Sequence, residues 1–183
     1  MGLFGRQGEL DSSQASAVEP DDVRSGCDQA TFAAGCFWGV EDAFRQVSGV
    51  VDVLSGYTGG TVRAPTYGAV CRGGTGHAEA VLVTFDPVVV RYEDLLEVFW
   101  RMHDPTTVDR QGPDVGSQYR SAIFVRNEEQ RLIAERSIQA AQPRFRRPIV
   151  TRIEQAATFW PAEGYHQRYT ERTGRGGCHV ANW

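Results

Sequence analysis

Lysine is absent from this 183-residue chain, cysteine is scarce, and long apolar runs are missing. Without lysine, neither Gly56-Tyr57-Thr58-Gly59-Gly60 nor Gly73-Gly74-Thr75-Gly76 can be a Walker-type phosphate loop. Neither cluster has the strand-loop-helix setting that such a loop needs, so both read as turns. No window approaches the roughly 18 apolar residues of a membrane helix. The N-terminus lacks the basic-then-apolar layout of a secretory signal, and a cytoplasmic protein is the default expectation. Positive charge is not in excess either: a net charge of -4 and a pI near 5.6 offer no broad attraction to nucleic acid or an anionic membrane. The four cysteines (Cys27, Cys36, Cys71, Cys178) fit neither a paired CxxC zinc pattern nor a secreted disulfide framework. In a reducing compartment such scattered cysteines are inert or catalytic. Of the histidines only His179 has a cysteine neighbour, Cys178, and one adjacent pair makes a poor metal site. No metal is expected.

What is present is an ordinary globular composition, 41% hydrophobic and 23% charged, in a length suited to one domain. Residues 1–28 are rich in Ser, Gln, Asp and Glu and poor in large apolar groups, so they read as a flexible extension. Residues 29–183 read as a single catalytic domain. Pattern and punctuation predict a strand from Thr31 to Ala34, a helix after Cys36, and strands from Val50 to Ser55 and Ala78 to Phe85. A helix from about Tyr92 to His103 follows, then a long polar loop to Gln118 and a strand from Tyr119 to Val125. Asn127 is expected to cap a helix that Pro143 closes. A last strand near Ile149 to Glu154 leads to Phe159-Trp160-Pro161, a short helix and a glycine-rich tail. Strands and helices mix without repeats, which predicts an α+β two-layer sandwich.

The chemistry centres on Gly35-Cys36-Phe37-Trp38-Gly39. This segment leads into an amphipathic run with Val40, Ala43, Phe44 and Val47 on one helical face. Cys36 is therefore expected at a helix N-terminus, where unpaired amides and the positive dipole end favour the nucleophilic thiolate. A buried structural cysteine is the plainer alternative, and the flanking glycines and helix start argue against it. On the strand from Ala78, period-2 alternation puts Glu79 on a face with Val81, Val83 and Phe85. Desolvation there would raise its pKa and leave a protonated acid near neutral pH; an edge glutamate facing water is the alternative. Tyr67 and Tyr119 could donate hydrogen bonds to an oxygen without adding charge, and Asp114 and Arg120 lie close to Tyr119 in sequence. From these residues two other readings stand: a cysteine hydrolase or acyltransferase using His77 or His166 as base, or a non-catalytic redox sensor.

Together with Gly56-Tyr57-Thr58-Gly59-Gly60, Pro65-Thr66-Tyr67, Thr75-Gly76-His77-Ala78-Glu79-Ala80, His103-Asp104-Pro105, Arg110-Gln111-Gly112 and Gln118-Tyr119-Arg120-Ser121-Ala122-Ile123, the cysteine motif resembles the A-type peptide-methionine sulfoxide reductases. The resemblance covers about residues 29–179. It implies a ferredoxin-like core, a catalytic Cys36, Phe37 and Trp38 around the substrate methyl, and Glu79, Tyr67 and Tyr119 on the sulfoxide oxygen. Asp114 carries over as a polar site residue. The implied reaction runs through a Cys36 sulfenic acid, which a second thiol condenses with to form a disulfide. Cys178, on its glycine-rich arm, is the expected resolver. Thioredoxin then reduces the disulfide, the S epimer is the implied substrate, and neither cofactor nor metal is required. The protein is expected to act as a monomer on oxidised proteins and free methionine sulfoxide. Many relatives carry two tail cysteines where this chain has one. Cys71 reads as a packing residue, and Cys27 carries no assigned role.

Overall fold

The computed structural model describes residues 16–175. The predicted β3 (Ala78–Phe85) forms with the expected bounds, and β1 (Asp28–Ala34), α1 (Phe37–Arg45), β2 (Val50–Thr58) and α3 (Tyr92–Met102) form with shifted ends, while a short helix that the pattern did not predict, α2 (Tyr67–Cys71), precedes β3. The long loop holds a small hairpin, β4 (Arg110–Gln111) and β5 (Asp114–Val115). Then come β6 (Ser121–Val125), α4 (Glu128–Ala141), β7 (Arg152–Gln155), β8 (Trp160–Pro161) and α5 (Tyr169–Thr173). Asn127 caps α4 as its sequence predicts, its side chain accepting the Gln130 N–H at 2.8 Å.

Three differences have local causes. β2 continues through Gly56, where a turn was expected, because β8 lies alongside it. A Cβ at Gly56 would fall 2.4 Å from the Trp160 carbonyl oxygen, so glycine here admits a neighbouring strand. The strand expected from Tyr119 starts at Ser121, because residues Ser117–Tyr119 close a 3-10 turn. Finally, part of the segment expected as an extension is laid along the domain: Val18 forms an antiparallel bridge with Phe159.

The main sheet has the order β7-β6-β1-β3-β2-β8, with β6 and β7 parallel and all other pairs antiparallel. α1 connects β1 to β2, and α3 lies between β3 and β6 in the chain. The helices cover one face, where Phe32, Phe44, Val81, Val83, Leu95, Leu96 and Phe99 form the larger core. Ala78, Ala80 and Leu82 point to the other face and pack with Phe124 and Phe159. The alternation expected for β3 is thus present, and Glu79 belongs to the helix-covered side. The architecture is a mixed α/β fold on one central sheet.

Phe32 sits at the centre of that core, fully buried and stacked on Phe44 at 5.0 Å and on Phe99 at 5.4 Å. Phe32→Ala is expected to cost about 3–5 kcal/mol of stability through lost transfer energy and an uncollapsed cavity. Urea titration would show this as a lower midpoint at an unchanged slope.

Candidate active site

The turn between β1 and α1 places Cys36. Gly35 has φ +91°, and a Cβ there would lie 2.7 Å from Gln111 Cγ. Glycine therefore lets the segment carrying Gln111 press against the turn. The Gln111 amide accepts the Asp104 N–H at 3.1 Å and donates to the Asp104 carbonyl at 3.2 Å, fixing the loop that leads to Asp114. Cys36 occupies the N-cap of α1, and its side chain makes no capping bond to the helix. The first-turn amides are consequently available to groups at that end.

One of those groups is Glu79. Its Oε2 accepts the Phe37 N–H at 3.1 Å, which sets the carboxyl beside Cys36, and the residue is only 1% exposed. Burial drives its pKa from the ordinary carboxyl value up to about 7; the Phe37 amide opposes the rise and the charge of Asp114 adds to it. A large fraction is therefore a neutral acid at physiological pH, as the strand pattern predicts.

Tyr67 and Tyr119 lie near this carboxyl. Burial first, then for Tyr67 the bond to Cys71 and the nearby charges of Cys71 and Glu79, pushes both phenols above their ordinary value. They remain protonated donors across the physiological range. Cys71, expected to be packing, stands among them. Burial raises its thiol pKa, while hydrogen bonds with Tyr67 and Tyr119 pull the other way.

The apolar wall is Phe37 and Trp38. Phe37 is buried, with ring centroids 6.4 Å from Trp38 and 6.5 Å from Tyr67. The Trp38 indole stacks on Tyr169 at 3.9 Å, and its Nε1–H donates to His166 Nδ1 at 3.1 Å. Both ring nitrogens of His77 are taken: Nδ1 accepts the Gly60 N–H at 3.2 Å, and Nε2 lies 2.7 Å from the Val62 carbonyl. His166 Nδ1 is held by the indole. Neither histidine offers a lone pair to Cys36, so the hydrolase reading lacks its base.

The structure thus brings Cys36, Phe37, Trp38, Tyr67, Glu79, Asp114 and Tyr119 into one neighbourhood. Cys178 and its neighbour His179 lie outside the described residues. Sequence reasoning missed Tyr57 and Glu163 and gave His166 a different role. Tyr57 pairs with Glu79 across β2 and β3, and its hydroxyl donates to Glu163 Oε2 at 2.9 Å. The one available signal was an ionisable pair, Glu163 and His166, three residues apart just after the apolar Phe159-Trp160-Pro161-Ala162.

A cysteine at a helix N-cap, a buried acid of raised pKa, phenol donors and an aromatic wall together have the make-up of a thiol-enzyme site. The model of a family described as peptide methionine sulfoxide reductase matches residues 28–182, and this chain belongs to that family. A peptide methionine sulfoxide reductase MsrA of Methanothermobacter thermautotrophicus is 59% identical over 155 residues, covering 84% of this chain and 92% of the relative. Mxr1 from Saccharomyces cerevisiae in reduced form superimposes with a TM-score of 0.82 at 32% identity, covering 89% of this chain and 96% of that one. Mxr1 in complex with Trx2 shares the fold at a TM-score of 0.61 and 24% identity, covering 89% and 97% of the two chains. Among the described residues no helix is long and apolar enough to cross a membrane.

Proposed function

We propose that residues 29–183 act as one catalytic unit that reduces the S epimer of methionine sulfoxide, free or in proteins, with thioredoxin as the reductant. The observation that carries this reading is the Glu79 carboxyl, buried and held at 3.1 Å by the Phe37 amide next to Cys36. A sulfoxide joins an apolar methyl to a polarised oxygen. An aromatic wall beside neutral donors is complementary to both parts.

The Cys36 thiolate attacks the sulfoxide sulfur while Glu79, assisted by Tyr67 and Tyr119, protonates the oxygen. The sulfur–oxygen bond breaks, the hydroxyl passes to Cys36, methionine leaves, and Cys36 is a sulfenic acid. The Cys178 thiol then displaces water to give a Cys36–Cys178 disulfide. A thioredoxin dithiol reduces that disulfide and is itself oxidised, so the net products are methionine, water and oxidised thioredoxin. The yeast relative crystallised with Trx2 supports the same partner here.

Separated epimers with thioredoxin test the reading. The S epimer is expected to be consumed and the R epimer to remain; turnover of R, or of neither, overturns it. Cys178→Ser is expected to release about one methionine per enzyme and then stall, because the resolver acts only after sulfoxide reduction. Undiminished cycling by that variant would transfer the resolving role to another thiol.

A further inference from the structure

Glu163 follows β8 and contacts three residues around the site, Tyr67, Tyr57 and His166. Its Oε1 accepts the backbone N–H of Tyr67 at 2.9 Å, at the start of α2. Its Oε2 accepts the Tyr57 hydroxyl at 2.9 Å, and the buried Tyr57 ring packs on Phe37 with centroids 5.8 Å apart.

The same Oε2 lies 4.0 Å from His166 Nε2. The indole of Trp38 donates to Nδ1, so the neutral imidazole carries its proton on Nε2. Burial lowers the His166 pKa and so favours that neutral form. The ring is 2% exposed, and Nε2 has no hydrogen-bond partner among the described residues. Its N–H dipole is thus oriented by the nearest carboxylate, Glu163. The ring in turn lies against Tyr67 at 4.4 Å and Trp38 at 5.6 Å.

We infer that Glu163 is a positioning residue: by holding the Tyr67 backbone on one side and the His166–Trp38 pair on the other, it sets the width of the pocket between oxygen donor and methyl wall. The inference rests on the reading of the site as a sulfoxide pocket. Its consequence is a specificity for the S-alkyl group. A pocket sized for methyl loses about 10-fold or more in efficiency for each added methylene. Relaxing the support should reduce that discrimination.

The test compares methionine sulfoxide with ethionine sulfoxide, both as S epimers, in single turnovers of the full chain and its Glu163 variants. Glu163→Gln keeps an oxygen for the Tyr67 amide and presents an NH2 group to the His166 N–H, so two donors face each other. It is expected to lower the methyl-to-ethyl ratio of kcat/KM about 10-fold. Glu163→Ala removes both supports and is expected to lose the discrimination and about 100-fold in methionine release as well. A merely structural residue would reduce the amount of active enzyme and leave the substrate ratio unchanged. An unchanged ratio in the folded Gln variant therefore overturns the proposal, even if the Ala variant fails to fold. If the parent enzyme releases no methionine from the S epimer of methionine sulfoxide, the underlying reading of the site has failed instead.

Discussion

Cys36→Ser is expected to abolish methionine release, by roughly 10⁶-fold, the scale on which loss of a covalent nucleophile is felt. A serine hydroxyl is scarcely ionised near neutral pH and cannot form a sulfenic acid. The location of Cys36 makes this variant unusually clean. The residue is the N-cap of α1 and makes no side-chain capping bond, whereas serine is among the preferred N-cap residues. Its hydroxyl can accept the Gly39 N–H, so stability should hold or rise by up to about 1 kcal/mol. Rapid-quench methionine release and thermal unfolding on one sample separate the two effects. Appreciable turnover by the serine variant would sink the thiol mechanism.

Glu79→Gln should slow the same step about 10²- to 10³-fold at pH 7, since the amide keeps an acceptor for the Phe37 N–H but has no proton to transfer. The parent rate should fall as pH rises through about 7, where the buried acid ionises, while the Gln variant loses that inflection. Stability carries a second signature. The Glu79 pKa is about 7 in the fold and near 4.5 when unperturbed, so below about pH 4 both states hold the proton and there is no difference. Between about 4 and 7 the unfolded chain releases it first, and folding stability declines. Above 7 the penalty is constant at about 3 kcal/mol. Glu79→Gln escapes it, so its advantage in chemical denaturation should be small at pH 4 and largest at pH 8. Equal methionine-release rates for parent and variant at neutral pH would remove Glu79 from the role of acid.

The parts of the site legible in the sequence are those set by local spacing. Cys36 is read from a glycine turn leading into a 3.6-residue pattern, and Glu79 from a 2-residue pattern on β3; both periods survive in the folded chain. Tyr67 and Tyr119 could be named from the sequence as neutral donors, but their place beside Glu79 came only with the family resemblance, because each lies in a short turn-like element, the start of α2 and a 3-10 turn, with no period to read. Beyond its spacing from His166, nothing local marked Glu163: its partners Tyr67 and Tyr57 are 96 and 106 residues away, and their approach depends on β8 pairing with β2. The sheet order is hidden for the same reason. Alternation tells which face a residue occupies but not which strand stands beside it. Gly56 misled because a glycine that admits a close neighbour and a glycine that turns the chain have the same letter.

The central place of β1 has a consequence for biosynthesis. One side of β1 is covered by β3, whose last residue is Phe85, but the other waits for β6, where Thr31 meets Phe124. At roughly 5 to 20 residues per second, the stretch from Phe85 to Phe124 takes about 2 to 8 s to synthesise. For that interval the nascent chain presents an apolar strand with unpaired backbone groups, the geometry that recruits a foreign strand. The order in which the chain emerges therefore leaves β1 half-paired until β6 is made.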